Sequence, residues 1–489
     1  MALLSLTPFL SLAVFGLLAI PAGFLHFGKS KLGLAPFVCI LGLAIALVST
    51  VWLGFTSLSP VSFGGFQVDL FTLFFSGVLL IVAIFVTIAS LQYMHEDPNK
   101  GPFFGLLLLS TLGMIVLAAS MDLILLYVGW ELMSIPTYAL TAFRKRDPNS
   151  NEAAMKFFVL SALSSALIVY AISLVFGVTG STGLTAIASS LSTAGPDFRP
   201  FGVLAIVLFI VGFGVKMAVV PFHMWIPDAF EGAPVTIGAF LAAGAKMAAF
   251  AAAFRVFIVG ISAFNVDFYS TFAIVAVVTM SVGNVAALMQ KSFTRLLAYS
   301  SIAQAGYILM ALATPFTTTN VPLGLAGGLF HVLNYAILKT AAFVAAAAVA
   351  TKLSVTDLES FNGLSRRMPQ TSLSIAVIFL GLVGVPPLNG FFSKVMLFTG
   401  SIYSPYSWGG YLALTALINS GFSMSYYGWV IKRMYFDEPG DQSRIPEPRV
   451  YMAVLWAATI LIFAIGLYPD PWIRLVQNAA AALVASRGL

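Results

Sequence analysis

Charged residues make up only 9% of this 489-residue sequence, where a soluble domain carries about 25%. With 60% of its residues hydrophobic, the chain has more apolar surface than a water-soluble fold can bury, so a soluble enzyme is excluded. Cysteine is scarcer still. The single Cys39 lies inside an apolar run, which rules out a disulfide or an iron–sulfur cluster ligated within this chain. Nucleotide-binding glycine loops, clustered metal ligands and a nucleophile beside a base are also missing; the Gly327–Gly328 pair falls within an apolar run. The net charge of +6 sits in short loops between apolar segments, the pattern of membrane topology rather than of nucleic-acid binding.

What the sequence does have is apolar runs of about 20 residues from end to end, matching the hydrocarbon thickness of a bilayer. The expected fold is an all-α polytopic membrane protein, one membrane domain without a soluble domain. Leu4 to Ile20 has no basic flank before it and no small-residue cleavage site after it, so it reads as a retained helix rather than a signal peptide. Spans are predicted near 4–24, 33–55, 69–92, 102–119, 121–142, 154–178 and 200–222. The second half adds 235–257, 268–289, 294–314, 322–350, 370–400, 408–431 and 450–468, about fourteen in all.

Loop charge supports this count. Lys29, Lys31, Lys100, Arg144, Lys145, Arg146, Lys291, Arg295, Lys352, Arg366, Arg367, Lys432, Arg433, Arg444 and Arg449 all fall on one side. The other side has only Arg199, Arg255, Arg474 and Arg487. Positive charge gathers on the cytoplasmic side, which puts both termini outside. Two segments interrupt the pattern: Pro221 to Pro234, with Pro227 and Gly232 between, and Gly381 to Gly390, with Pro386 and Pro387. Broken helices at membrane depth are tolerated where they line a polar cavity, and a matched pair points to inverted repeats around a transport path; simple proline kinks are the alternative.

Every other Lys or Arg being in a loop, the spans hold Lys156, Lys216, Lys246, Lys339 and Lys394. All are lysines, and lysine is the base that gives up its proton when desolvated, whereas arginine stays charged. Their counter-charge is Glu131, in LLYVGWELMSIP; Asp122 is at the start of the same run. A charge at mid-bilayer costs at least about 2.5–3.5 kcal/mol, so these groups point to function. Lys156, near the start of its span, either joins the relay or snorkels to the interface. His331, Tyr335 and Lys339 follow at steps of four and share one helix face, either as a water wire or as a structural histidine with neighbours. His223, in PFHMWIPD, is as well suited to hydrogen-bonding freed backbone as to proton transfer. Ser300, Ser301 and Gln304, in LLAYSSIAQAGY, extend a hydrated path or serve helix packing.

With these residues in view, the chain resembles the antiporter-like subunits of respiratory complex I and related dehydrogenases, most closely the N-type subunit. The likeness rests on GVKMAVVPFHMWIPDAFEGAPVTIGAFLAAGAKMA (Gly214 to Ala248), on WEL around Glu131, and on LLAYSSIAQAGY and GVPPLNGFFSKV. It implies two inverted five-helix repeats, 102–257 and 268–431, each with a discontinuous helix, after N-terminal helices in 1–101 and before a C-terminal helix at 450–468. It implies that Glu131 pairs with Lys216 as a gate, that Lys246 stands on the central axis and that Lys394 ends the channel. Lys156, His331 and Lys339 stand where the family places relay groups. The chain itself would carry no cofactor, with flavin and iron–sulfur clusters on partner subunits. Its partners would be other membrane subunits, including neighbouring antiporter-like ones, and the bilayer.

Three functions compete on this reading: a proton-translocating subunit driven by electron transfer elsewhere, a subunit of a multi-subunit sodium/proton antiporter, and a non-conducting scaffold. The stretch DAFEGAP after the PFH segment departs from the antiporter pattern, and the short tail after the last span leaves no room for a long lateral helix. Lysines without clustered carboxylates favour protons over sodium, which prefers oxygen ligands.

Overall fold

The computed structural model describes residues 2–25, 33–56, 60–95, 97–193, 199–261, 267–315, 323–353, 357–440 and 443–487. Lys29 and Lys31 lie outside the described residues. Helices account for nearly all of these segments; the one small sheet is the antiparallel hairpin Val61–Phe63 and Phe66–Val68. Among the described residues, eleven helices are long and apolar enough to cross a bilayer, and Thr7–Ala22 and Pro369–Val383 are shorter apolar helices. In lipid a helix satisfies its own backbone, which is why apolar runs of this length adopt no other form.

The bundle has an inside and an outside even though both are apolar. Val235–Gly260, Phe293–Ala313 and Leu323–Leu353 form its interior, with all or nearly all of their apolar windows buried. Ala35–Thr56 and Pro148–Thr179 are on the periphery and expose large side chains such as Trp52, Phe55 and Tyr170, the surface that acyl chains cover. Small residues set the spacing. A Cβ on Gly113 would lie 2.3 Å from the Met133 nitrogen, and one on Gly283 would lie 2.5 Å from the Ala303 nitrogen. The pairs Lys100–Ala119 with Leu123–Thr141, and Tyr269–Leu288 with Phe293–Ala313, therefore pack backbone to backbone.

Both segments expected to break do so. The helix Arg199–Met217 stops and resumes as Trp225–Gly232, and Pro369–Val383 stops and resumes as Asn389–Ile402. Ala218, just past the first stop, has φ +59, a left-handed conformation costing an L-residue about 1–2 kcal/mol.

Two expectations need correction. Arg255, assigned above to an outer loop, is inside the helical run Val235–Gly260 and is 0% exposed. Its guanidinium meets Asp69 at 2.7 Å, donates to the Ala118 carbonyl at 3.0 Å and to Thr72 Oγ1 at 2.9 Å, and lies over the Phe71 ring. The arginine stays inside the helical run because Asp69, which also caps Leu70–Tyr93 by accepting from the Thr72 N–H, supplies the counter-charge. The chain also continues after the last predicted span into an amphipathic helix, Asp470–Ala485. Its Val476, Ala479, Ala480 and Leu483 are buried where it packs against Leu70–Tyr93 and Leu323–Leu353.

Candidate proton-conducting axis

The three interior helices carry the polar residues that their burial would otherwise forbid. Lys246 directly follows a π-helical turn, Leu241–Ala245, a local widening that recurs at functional sites. Its Nζ donates to Ser301 Oγ at 2.6 Å and to the Ser301 carbonyl at 3.0 Å. Ser301 Oγ is 2.5 Å from the Tyr335 hydroxyl. Lys339, one turn beyond Tyr335, donates to Ser300 Oγ and, at 3.0 Å, to the Leu297 carbonyl. Two ammonium-forming groups thus hang on consecutive serines, and charge on one raises the cost of charge on the other.

One turn further along Phe293–Ala313, Gln304 Oε1 is 2.8 Å from His331 Nε2, whose ring presents Nδ1 to Ser393 Oγ at 3.1 Å. Gln304 also donates to the Leu382 carbonyl at 3.3 Å, and that carbonyl accepts from Lys394 Nζ at 3.1 Å. Lys394 completes its coordination on the Val383 carbonyl at 2.7 Å and Ser420 Oγ at 2.8 Å. It sits on the orphan carbonyls that end the half-helix Pro369–Val383, where the helix dipole favours a cation. Lys246, Lys339, His331 and Lys394 are each at most 4% exposed.

The other end of the site is looser. Lys216 is in the last turn of Arg199–Met217 and 1% exposed. Among the described residues its Nζ has no hydrogen-bond partner, and it lies 4.4 Å from the Phe157 ring centroid and 4.8 Å from that of Tyr138. The Tyr138 hydroxyl is buried beside it, next to Ser161 and Ser134. Glu131 is partly buried and accepts from Ser165 Oγ at 2.5 Å, so it is not hydrogen-bonded to Lys216 here. Lys156 stands apart from the buried line. Its side chain is 46% exposed and pairs with Glu152 at 2.7 Å and Asp228 at 2.8 Å. His223 is partly buried in the first break, beside the backbone of Pro221.

Sequence reasoning missed Ser393, Ser420, Ser165 and Tyr138 around these charges. Ser165 had a signal: Ser161, Ser164 and Ser165 recur on one face of an apolar run. Ser420 had none, because only the fold brings it to Lys394.

A bundle with two broken helices, lysines at their stops and a polar line through its most buried helices defines the class of antiporter-like ion-translocating membrane subunits. The comparisons make this specific. The family "NADH:quinone oxidoreductase/Mrp antiporter, TM" matches residues 120–423, and "NADH-Ubiquinone oxidoreductase (complex I), chain 5 N-terminus" matches residues 52–104. The chain belongs to the first of these families. It is 40% identical to the F(420)H(2) dehydrogenase subunit N of Methanosarcina mazei, over 98% of both chains. It is 36% identical to the NADH-quinone oxidoreductase subunit N of Desulfitobacterium hafniense, over 86% of both. Among solved structures, a chain of respiratory complex I from Thermus thermophilus superposes with a TM-score of 0.79 at 32% identity, covering 96% of this chain and 98% of that one.

Proposed function

We propose that this chain is the N-type proton-translocating membrane subunit of a complex I-like oxidoreductase, coupling electron transfer on partner subunits to proton movement through its buried lysines. The observation that carries the reading is a row of buried polar groups on the interior helices, in which Lys246 is hydrogen-bonded to Ser301, Lys339 to Ser300, and Gln304 both to His331 and to the Leu382 carbonyl that also binds Lys394. Flavin and iron–sulfur clusters belong on those partner subunits, and the electron donor is NADH, a reduced deazaflavin, ferredoxin or another carrier. Chemistry supports protons as the cargo: the row is dominated by amines, with hydroxyls, an imidazole and an amide, and among the described residues it has no cluster of carboxylates of the kind that favours a metal cation. The two relatives named above are called a dehydrogenase subunit and a quinone oxidoreductase subunit, which weighs against the sodium/proton antiporter alternative.

On this reading about fourteen crossing segments include two inverted repeats, 102–257 and 268–431, each interrupted by one of the breaks. Glu131 and Lys216 then act as a switch, whose open form has the carboxylate on Ser165 and the amine against Phe157 and Tyr138. When the pair closes, the charge of Lys216 is compensated and Lys246 loads a proton more easily; when it opens, Lys216 repels that proton onward. Glu131→Ala and Lys216→Ala are expected to assemble yet lose most proton translocation, measured as acidification of vesicles per electron transferred. Glu131→Asp should retain more than Glu131→Ala, since its carboxylate is displaced but still titrates. Full stoichiometry in both assembled alanine variants would sink the switch and leave these charges structural.

Loop charge also supports an orientation, with both termini and the loop around Arg199 outside and Arg144 to Arg146 in the cytoplasm. Thiols introduced at Ser192 and at Asn149, both exposed, should react with an impermeant reagent from opposite sides of sealed vesicles. Labelling from the same side would overturn the topology.

A further inference from the structure

Buried polar groups follow one another from Lys246 to Lys394, whereas among the described residues no hydrogen bond joins Lys216 to Lys246. A different kind of connection spans that interval. The Lys216 amine lies over Phe157, and the Phe157 ring stacks on Trp225 at 4.4 Å with the planes 20° apart. Trp225 reaches back across the break to donate from Nε1 to the Val215 carbonyl at 2.7 Å. It also opens the helix Trp225–Gly232, whose Asp228 and Glu231 both bind Arg295, at 3.3 Å and 2.7 Å. Asp228 holds Lys156 with its other oxygen at 2.8 Å. Arg295 is in the first turn of Phe293–Ala313, the helix that carries Ser300, Ser301 and Gln304.

We infer that Asp228 and Arg295 are positioning residues that tie the broken helix to the serine-bearing helix, so that movement at Lys216 shifts the hydroxyls holding Lys246 and Lys339. The inference rests on the proton-translocation reading above and supplies the link that reading lacks. Its physical basis is stiffness at both ends. Arg295 grips two carboxylates of one short helix with a planar fork that fixes orientation as well as distance. Ser301 is six residues along the same α-helix from Arg295, about 9 Å, so displacement of the fork is carried to it without loss through a flexible joint. Stabilisation is a poor explanation of the cluster. Its side chains are 32–46% exposed apart from the more exposed Glu152, and exposed ion pairs contribute little to folding. Lys156 belongs to this strap rather than to the buried relay, and because Arg295 still binds both Asp228 and Glu231 without it, its loss should matter less than that of Asp228 or Arg295.

The test uses the whole complex reconstituted in vesicles, with electrons from whichever of NADH, reduced deazaflavin or reduced ferredoxin it oxidises. The Asp228→Asn and Arg295→Gln variants should assemble in normal amount and melt within a few degrees of the parent, while protons moved per electron fall at least twofold. The double variant should be no worse than either single one, as expected when both act through one link. Asp228→Glu and Arg295→Lys should recover part of the ratio. An unchanged ratio in assembled Asp228→Asn, additive losses in the double variant, or failure of the single variants to assemble would each overturn the inference, the last by assigning the cluster a structural role. Lys246→Ala in the same assay separates the two levels. If it stops translocation while Asp228→Asn does not, only the strap fails; if it too moves protons at the full ratio, the translocation reading fails with it.

Discussion

Arg255→Leu is expected to cost about 3–5 kcal/mol, the usual penalty for removing one partner of a buried ion pair, and to be seen as loss of assembled protein and a lower melting temperature in detergent. The guanidinium is 0% exposed and Asp69 only 5%. Among the described residues Asp69 Oδ2 already lacks a partner, so without Arg255 the carboxylate would face an apolar interior with the Thr72 N–H left to hold it. The Ala118 carbonyl and Thr72 Oγ1 lose their donor as well, and Ser486 of the C-terminal segment loses a 3.4 Å contact. The damage should spread, because Arg255 joins Val235–Gly260 to the start of Leu70–Tyr93, to the end of Lys100–Ala119 and to the chain's last helix. Adding Asp69→Asn removes the stranded charge and keeps a side chain able to cap the helix, so the double variant should recover much of the loss. An Arg255→Leu protein that assembled with an unchanged melting temperature would show that this pair adds nothing to the fold.

The largest effect on activity is expected at Lys246. Both Lys246→Ala and Lys246→Arg should lower the initial rate of vesicle acidification by at least about tenfold, equivalent to about 1.4 kcal/mol, in complexes shown to be intact. Moving a proton against about 150 mV requires about 3.5 kcal/mol at about 2.3 kcal/mol per 100 mV. At about 1.4 kcal/mol per pKa unit, a swing of two to three units on one buried amine supplies it. Desolvation and a neighbouring charge move lysine by that much. Arginine in the same place keeps its proton throughout, so the Arg variant separates a relay from a fixed charge. If Lys246→Arg translocated at the parental rate, a static positive charge on Ser301 would be all the position requires.

Much of the candidate site is legible in the amino-acid sequence, and for one reason. A charged residue inside a long apolar run has few explanations, so Glu131, Lys216, Lys246, Lys339 and Lys394 stand out from composition and spacing. Periodicity places His331, Tyr335 and Lys339 on one face, and both broken helices follow from proline and glycine. The same logic fails at Arg255, because an arginine near the end of an apolar run is ordinarily outside it. The stretch AAAFRVFIVG, apolar on both sides of Arg255, is the signal that this one is not. Asp69 reads as a helix start and is one, but capping and ion pairing use the same carboxylate. Lys156 is ambiguous in sequence because position along a span says nothing about which face of the bundle a residue occupies, and its face is the exposed edge beside Asp228.

By itself the sequence determined that the chain lives in a bilayer, roughly where it crosses, where two helices break and most of the ionisable residues that travel inside with them. These are consequences of local hydrophobicity, backbone chemistry and the cost of burying charge, all readable within a window of about 20 residues. Only the tertiary structure decided which of those residues meet: Lys246 and Lys339 on neighbouring serines, Lys394 on the end of a half-helix, Arg255 on Asp69, and Asp228 on Arg295 across the break. In lipid every helix face is apolar, so no hydrophobic pattern marks which faces pair; close packing of small residues and the pairing of buried polar groups decide it, and both are properties of the assembled bundle.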